Sequence, residues 1–192
     1  MAKPIPLPDI TDEAAKELER DIKRGPTKLQ KEIMEQNRAI FNQKEKGMIR
    51  DIVQEDKIVF LEMIETFYSS KAVAHNVDKS ILETIFNVAV SGSPYLRALI
   101  IEDKEEPVGF ALLSFSFATE VGGLVVLLED LYISEERRGK GLGHKFMQFM
   151  EQEYPLAKRF RLEVAKENTR AIDLYGKLGF EVLEYVQMVK NL

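Results

Sequence analysis

The hydrophobic pattern of this chain changes near residue 48. Before that point, apolar residues recur at three- and four-residue spacing over residues 11–23 and 27–41, with a Gly-Pro break between the two segments. This spacing predicts two short amphipathic helices. After residue 48, runs of consecutive apolar residues alternate with helical patterns, which is typical of an α/β domain. We therefore predict a helical N-terminal extension over residues 1–47 and a folded domain over residues 48–192.

The second part of the chain predicts a sheet of mixed direction with helices packed against it. Apolar runs bounded by glycine, proline or charged turns predict strands, at residues 49–53, 98–102, 108–118, 124–133, 160–164 and 182–190. Helical spacing predicts four helices, at residues 56–69, 79–91, 145–153 and 168–178. Asn168 is a suitable N-cap for the last helix, and Gly179 is a suitable residue to end it. The expected fold class is therefore α/β.

The composition narrows the classes of function. The chain of 192 residues contains no cysteine and only two histidines, His75 and His144. This excludes disulfides, cysteine-ligated metals and an acyl-carrying thiol, and we predict no metal site. The net charge of −5 gives no electrostatic reason to expect nucleic-acid binding. No apolar run approaches the length of a membrane span and the N-terminus lacks an apolar signal core, so we expect a cytoplasmic protein without a membrane partner.

A basic, glycine-rich segment at residues 137–143 separates the predicted strand at 124–133 from the predicted helix at 145–153. Its sequence is Arg-Arg-Gly-Lys-Gly-Leu-Gly. Glycines let the backbone approach an anion closely, and the first N–H groups of a helix have no partner within the helix. Arg138 and Lys140 add positive charge. The spacing matches neither a P-loop nor a dinucleotide-binding fingerprint, so the segment predicts a phosphate-bearing ligand without identifying it.

Two motifs lie in order on either side of the predicted strand at residues 160–164. The first is Arg138-x-x-Gly141-x-Gly143. The second consists of spaced residues over the last predicted helix: Asn168, Ala171, Leu174, Tyr175, Leu178, Gly179 and Phe180. Together they resemble the pyrophosphate motif and the second cofactor motif of the GNAT superfamily of N-acetyltransferases. The Leu-Glu-Asp-Leu segment at residues 128–131 is similar to the corresponding strand of the diamine acetyltransferases. The resemblance covers residues 48–192 and implies a GNAT-like sheet, mostly antiparallel and flanked by helices.

The resemblance also implies acetyl-CoA as the co-substrate, and it assigns the contacts. Backbone groups of Leu131 and Ile133 are expected to pair with the pantetheine arm. Asn168 is expected to touch that arm as well as cap its helix, and capping alone would explain its presence equally well. Five residues are expected to surround the pyrophosphate, mainly through main-chain N–H groups: Arg138, Gly139, Gly141, Gly143 and His144.

Transfer of an acetyl group to an amine requires a neutral amine and a proton for the departing thiolate. An alkyl amine has an ordinary pKa of ~10.4, so a base or a desolvated pocket must favour its neutral form. By resemblance Glu129 is the candidate base, or an acid that orients the substrate, with Asp130 as the alternative base. Strand alternation predicts Glu129 and Leu131 on one face and Asp130 on the other, unless a bulge exchanges the two acids. Tyr175 is the candidate acid, or an aromatic residue that only positions the sulfur.

These observations predict an N-acetyltransferase that acts on a primary amine of a small molecule by direct attack in a ternary complex. Phe67, Tyr68 and His75 lie in the region that shapes the acceptor pocket in the family, and aromatic rings there favour a cationic amine. Two other functions stay open: a protein or peptide N-acetyltransferase, and a non-catalytic CoA-binding regulatory module. We expect the N-terminal helical pair to pack on its own domain, to contact a second subunit of a homodimer, or to be a flexible extension.

Overall fold

A computed structural model of the chain describes residues 48–70 and 77–190. The two helices predicted in the N-terminal extension, and His75, lie outside the described residues. Within the described ranges, the strands are β1 (Ile49–Asp51), β2 (Leu96–Asp103), β3 (Glu106–Ala118), β4 (Gly123–Ile133) and β5 (Arg159–Leu162). The helices are α1 (Lys57–Tyr68), α2 (Lys79–Val90), α3 (Leu142–Glu153) and α4 (Thr169–Lys177).

The five strands follow one another across a single sheet in the order β1-β2-β3-β4-β5. Neighbouring strands are antiparallel, except for β4 and β5, which are parallel. A parallel pair needs a long crossover, and α3 lies in the connection between these two strands. The mixed, mostly antiparallel sheet predicted from the sequence is therefore confirmed.

Both faces of the sheet are covered, which explains why its strands read as continuous apolar runs. On β2, Leu99 and Ile101 join a core formed with α3, whereas Ala98 and Ile100 join a second core formed with α1 and α2. All four side chains are buried. We call these two sides of the sheet the α3 face and the α1 face. Over residues 48–70 and 77–190, no helix is both long and apolar enough to cross a membrane.

A β-bulge interrupts β4 at Glu129. On β3, Leu112 pairs with Asp130, whereas its neighbour Leu113 pairs with Leu128. Glu129 is therefore an extra residue with no partner opposite it. An extra residue reverses the alternation of side chains beyond it, and the strand twists more strongly at that point.

The reversal is visible in the packing of the leucines on either side of the bulge. Leu128 and Leu131 both pack into the core on the α3 face, although they are three positions apart. In a regular strand, residues at odd separation point to opposite faces. Regular alternation therefore describes β4 correctly only within each half of the strand.

The sheet opens between β4 and β5. The two strands pair only where residues Val125, Val126, Leu127 and Leu128 face Arg159, Phe160, Arg161 and Leu162. Beyond the bulge, the edge of β4 that faces away from β3 has no strand partner among the described residues. The open edge therefore runs from the bulge at Glu129 to the end of β4 at Ile133.

The strand predicted at residues 182–190 is absent, so this prediction was wrong. The segment has no regular secondary structure and no strand pairing, and Val182, Val186, Met188 and Val189 are each about 90% exposed. Its apolar residues occur in adjacent pairs separated by single polar residues, a repeat of three positions. A strand that is buried on one face needs a repeat of two. This pattern instead places apolar residues on both sides of the chain and does not separate an apolar face from a polar one.

Candidate active site

The glycine-rich segment forms a tight turn between β4 and α3. Gly139 and Gly141 have φ angles of +79° and +80°, and Gly141 is the N-cap of α3. A side chain at either position would cost roughly 1–2 kcal/mol because this left-handed conformation crowds a Cβ atom. The first N–H groups of α3 have no partner within the helix, and the positive end of the helix dipole lies there. The turn therefore has the features of an anion-binding site.

Gly143 contributes something different, because it lies within α3. A Cβ atom at this position would stand 3.5 Å from Cδ2 of Leu174 on α4 and 3.8 Å from Cδ1 of Ile133. The start of α3, the end of β4 and α4 therefore meet at this point. His144 follows on the exposed surface of the helix, so its backbone N–H, rather than its side chain, belongs to the turn.

The two arginines of the turn are held by neighbouring protein groups. Arg137 pairs with Asp103 and, at 3.0 Å, with Glu106, so it ties the turn to the β2–β3 hairpin. Arg138 donates from Nε to the carbonyl of Ile133 at 2.8 Å, and its Nη1 lies 3.3 Å from Glu135. The charge of Arg138 is therefore partly compensated inside the turn, and its clearest role is to brace the turn against the end of β4.

Arg170 supplies a cation to the turn that sequence reasoning missed. A Cβ atom built on Gly139 would lie 3.4 Å from Nη2 of Arg170, so the guanidinium lies directly beside the turn. Neither Arg170 nor Lys140 forms an ion pair with any described residue. Arg170 lies between two residues of the second motif, but only the fold brings it to the first. Arg170 beside Gly139 and Lys140 between Gly139 and Gly141 are thus two cations at the turn without an ion-pair partner in the described part of the chain.

The open edge of β4 presents the peptide groups of Leu131 and Ile133. The N–H of Ser134 donates to the carbonyl of Val108 on β3 at 2.9 Å. In a trans peptide the preceding carbonyl, that of Ile133, points the opposite way, and alternate residues of a strand repeat this direction. The N–H and C=O groups of Leu131 and Ile133 therefore point away from β3, into the gap. Arg138 already donates to the carbonyl of Ile133.

Helix α4 has a capping motif at each end, and these motifs define where it begins and ends. The side-chain oxygen of Asn168 accepts a hydrogen bond of 3.2 Å from the N–H of Ala171, as predicted for an N-cap. At the other end Gly179 has a φ of +84°, and the N–H of Phe180 donates to the carbonyl of Tyr175 at 3.0 Å. This is a Schellman motif, which accommodates glycine and brings its flanking apolar residues together.

Tyr175 lies partly buried against the core on the α3 face, the same core that Leu131 and Ile133 contact. Burial raises the pKa of its hydroxyl above the ordinary value. The hydroxyl has no hydrogen-bond partner among the described residues. Every fully buried side-chain oxygen in that part of the chain has a hydrogen-bond partner. This hydroxyl has none, so it is not fully buried and retains contact with solvent. The phenol therefore keeps its proton at neutral pH and can donate it to a bound group.

The bulge places both adjacent acids on the α1 face. Leu113 packs on the α3 face, so its neighbour Ser114 points to the α1 face, where it donates a hydrogen bond of 2.5 Å to Glu129. Asp130 accepts a hydrogen bond of 2.7 Å from the hydroxyl of Tyr68 at the end of α1. The expectation that Glu129 and Asp130 point to opposite faces was therefore wrong, because regular alternation does not hold at a bulge.

The two acids differ in their surroundings. Glu129 is exposed, whereas Asp130 is only 8% exposed. Burial, reinforced by the nearby charge of Glu129, raises the pKa of Asp130 to about 6, although the hydrogen bond from Tyr68 acts in the opposite direction. Burial and the same two acids raise the pKa of Tyr68, which therefore remains protonated. A carboxyl group with a pKa near neutrality is the kind of group that can exchange protons at physiological pH.

The aromatic residues predicted for the acceptor region form one cluster with the sheet. The ring of Phe67 lies 5.3 Å from that of Tyr68, 5.9 Å from Phe110 and 6.3 Å from Tyr132. Tyr132 stacks on Phe110 at 5.7 Å. The cluster fixes the end of α1 against β4, so the hydroxyl of Tyr68 has a defined position.

Comparisons with known proteins give relatives of this chain. The model of the acetyltransferase (GNAT) family matches residues 60–180. A thialysine N-epsilon-acetyltransferase of Mus musculus is 30% identical over 146 residues, which are 70% of this chain and 84% of that protein. The corresponding protein of Bos taurus is 35% identical over 102 residues, but that match covers 47% of this chain and only 59% of the bovine protein.

A solved structure shows the same fold. This structure, of AAC(6')-Iy in complex with the bisubstrate analogue CoA-S-monomethyl-acetylneamine, superposes with a TM-score of 0.62 at 17% identity. The superposition covers 75% of this chain and 97% of that chain. The family match at residues 60–180 includes the bulge, the glycine turn and all of α4. This chain therefore belongs to the GNAT family of acetyltransferases.

Proposed function

We propose that this protein is an N-acetyltransferase that transfers the acetyl group of acetyl-CoA to a primary amine of a small molecule. The observation that carries this proposal is the arrangement along the open edge of β4. Two carboxylates lie at the bulge, exposed peptide groups follow at Leu131 and Ile133, and the anion-binding turn comes directly after them. Along this edge the acids would face the acceptor amine, the peptide groups would bind the linear arm of the donor, and the turn would bind its phosphates. This is the order that acetyl transfer requires.

The residues present fit acetyl-CoA, which acetyltransferases of this family use. The phosphates would bind at the N–H groups of Gly139, Gly141, Gly143 and His144, with Lys140 and Arg170 nearby as cations that pair with none of the described residues. The peptide groups of Leu131 and the N–H of Ile133 suit a linear arm that carries amides, whereas the carbonyl of Ile133 already accepts a hydrogen bond from Arg138. Arg138 contributes chiefly by bracing the turn. Asn168 uses its side-chain oxygen as the helix cap, which leaves its amide nitrogen for the same arm.

Acetyl-CoA supplies the acetyl group as a thioester, and this chain supplies the proton acceptor and the proton donor. In our proposal the acceptor amine attacks the carbonyl carbon directly, because the chain has no cysteine to carry the acetyl group. Glu129, exposed at the bulge, accepts the proton that the amine loses. Tyr175 donates its phenolic proton to the sulfur as the carbon–sulfur bond breaks. The partly buried position of Tyr175, and a hydroxyl that bonds to none of the described residues, support this role.

A small cationic acceptor fits the α1 face better than an anionic one. Glu129 and Asp130 both lie there, and no Lys or Arg hydrogen-bonds or ion-pairs with either acid among the described residues. The overall net charge of −5 also favours the approach of a cation. A lysine side chain within a peptide carries the same charge, so peptides are the necessary comparison.

The proposed function can be tested with a panel of acceptors. Purified full-length protein would be incubated with acetyl-CoA and either small primary amines or lysine-containing peptides. Release of free CoA thiol would be measured, and the products would be identified by mass spectrometry. We expect amine-dependent release and acetylated small amines. Preferential acetylation of peptides would assign the protein to the peptide class, and binding of acetyl-CoA without any transfer would contradict the proposal.

A further inference from the structure

Asp130 is the buried ionisable group that the proposed reaction leaves without a role. It is 8% exposed, and its position immediately follows Glu129 on the strand. A buried carboxyl group is costly unless it is paired or hydrogen-bonded. Asp130 nevertheless has no cationic partner in the described part of the chain, and its one side-chain hydrogen bond there comes from Tyr68. Such a residue lowers stability when it is ionised, which points to a role in binding or chemistry.

The two oxygens of Asp130 are in different situations. Oδ2 accepts the hydrogen bond of 2.7 Å from Tyr68. Oδ1 has no hydrogen-bond donor among the described residues. Every fully buried side-chain oxygen in that part of the chain has a hydrogen-bond partner. Oδ1 has none, so it is not fully buried and remains accessible to solvent. The carboxylate is therefore fixed through one oxygen and open through the other.

Tyr68 is itself held firmly enough to orient this carboxylate. Its ring packs edge-on against Phe67, which contacts the rings of Phe110 and Tyr132. Tyr68 ends α1, and the hydrogen bond to Asp130 joins residues 62 positions apart in the sequence. The bond therefore fastens the end of α1 to the bulge of β4.

We propose that Tyr68 is a positioning residue that holds Asp130 so that its open oxygen, together with Glu129, binds the acceptor amine. This inference rests on the proposed function, which assigns Glu129 to proton removal. Two carboxylates on one face can hold an ammonium ion. Glu129 can take its first proton and, being exposed, pass it to solvent before it accepts the second proton, which the amine loses on attack. Asp130 must be ionised to contribute, so acceptor binding should weaken when it becomes protonated.

Groups on three elements surround the carboxyl group of Asp130 and influence its charge. On its own strand the charge of Glu129 raises its pKa, and from α1 the hydroxyl of Tyr68 lowers it by hydrogen bonding. On β3, the residue opposite is Leu112, and Ser114, which donates to the neighbouring Glu129, is uncharged. Removal of the Tyr68 hydroxyl should therefore raise the pKa of Asp130 further.

The test is the pH dependence of Tyr68→Phe, with Tyr132→Phe as the matched control from the same aromatic cluster. For Tyr68→Phe we expect about a 10-fold lower kcat/KM for the amine at neutral pH, since a hydrogen bond to a charged group is lost. In a plot of kcat/KM against pH, the fall in activity at low pH, the acidic limb, should move to higher pH. Tyr132→Phe should leave that limb unmoved. An active wild-type enzyme whose limb does not move in Tyr68→Phe would overturn the positioning role.

A second measurement does not depend on turnover. The carboxyl carbon of Asp130 would be titrated by NMR in the full-length protein, for the wild type, Tyr68→Phe and Tyr132→Phe. We expect a midpoint near the pKa of about 6 in the wild type and a higher midpoint only in Tyr68→Phe. Identical midpoints in all three proteins would overturn the inference. Failure of acetyl transfer in the wild type, with a shifted midpoint in Tyr68→Phe, would count against the proposed function alone.

Discussion

The ring of Tyr175 packs on the ring of Phe180 with 5.9 Å between their centroids, across the C-terminal end of α4. The contact is the apolar part of the Schellman motif that Gly179 makes possible. The motif fixes the ring of Tyr175 by packing, and its hydroxyl has no partner in the part of the chain that the structure describes. The end of α4 thus sets the position of the candidate proton donor through its backbone geometry.

Replacement of Tyr175 by phenylalanine should separate catalysis from binding. The ring and its packing are kept, so we expect unchanged thermal stability and a KM for acetyl-CoA within a few-fold of wild type. Loss of the proton donor should lower kcat about 10²-fold or more. Steady-state kinetics of Tyr175→Phe check this, with Tyr185→Phe on the exposed C-terminal segment as the control. An unchanged kcat would exclude Tyr175 as the acid.

The glycines of the turn should respond differently to alanine. Gly139→Ala and Gly141→Ala force a side chain into a left-handed conformation and should destabilise the fold by roughly 1–2 kcal/mol. Gly143→Ala places its methyl group at ordinary contact distance from Leu174 and Ile133, so its stability should match wild type. Urea denaturation of the three variants checks the ranking. Equal destabilisation at all three positions would contradict the distinct roles of these glycines.

Arg170 should contribute to acetyl-CoA binding although it lies outside the glycine motif. Removal of its guanidinium takes one uncompensated positive charge from the turn. We expect Arg170→Ala to weaken acetyl-CoA binding about 10-fold, with the difference shrinking at high salt. Calorimetric titration at two salt concentrations measures this. The control is Arg161→Ala, an exposed arginine on β5, and an equal effect of both variants would refute a specific contribution from Arg170.

Asp130 should lower the stability of the protein at neutral pH. Its pKa in the folded state, about 6, lies above its ordinary value of 3.8, so the folded protein binds this proton more tightly than the unfolded chain. Ionisation of Asp130 therefore costs no stability below about pH 4. As the pH rises to about 6, it lowers the free energy of unfolding by roughly 3 kcal/mol at most. Asp130→Asn should be more stable than wild type at neutral pH but not at about pH 4. Unfolding by urea at both pH values checks the sign, and a less stable variant at neutral pH would contradict it.

The sequence predicted the five strands of the sheet, the four helices that flank it, the cap of α4 and the glycine turn, because these depend on local signals. Apolar runs, the cap at Asn168 and the glycines of the turn each act within a few residues. The bulge at Glu129 was raised only as an exception, since it depends on how β4 pairs with β3. Regular alternation therefore assigned Glu129 and Asp130 to opposite faces.

Long-range contacts account for the other differences. Arg170 reaches Gly139, and Tyr68 reaches Asp130, only because packing brings distant elements together. The motif includes Arg138, but its guanidinium already donates hydrogen bonds to the carbonyl of Ile133 and to the carboxylate of Glu135. The strand predicted at residues 182–190 rested on apolar content without the two-residue repeat that a strand with one buried face requires.

A single-turnover experiment tests the central claim most directly. Enzyme in excess over acetyl-CoA would be mixed with a primary amine that is a good acceptor, and free CoA, acetylated amine and intact protein mass would be followed together. We predict that free CoA and acetylated amine appear at the same rate and in equal amounts, and that no acetylated protein forms. Release of CoA without acetylated amine, or accumulation of acetylated protein before the product, would contradict direct transfer in a ternary complex.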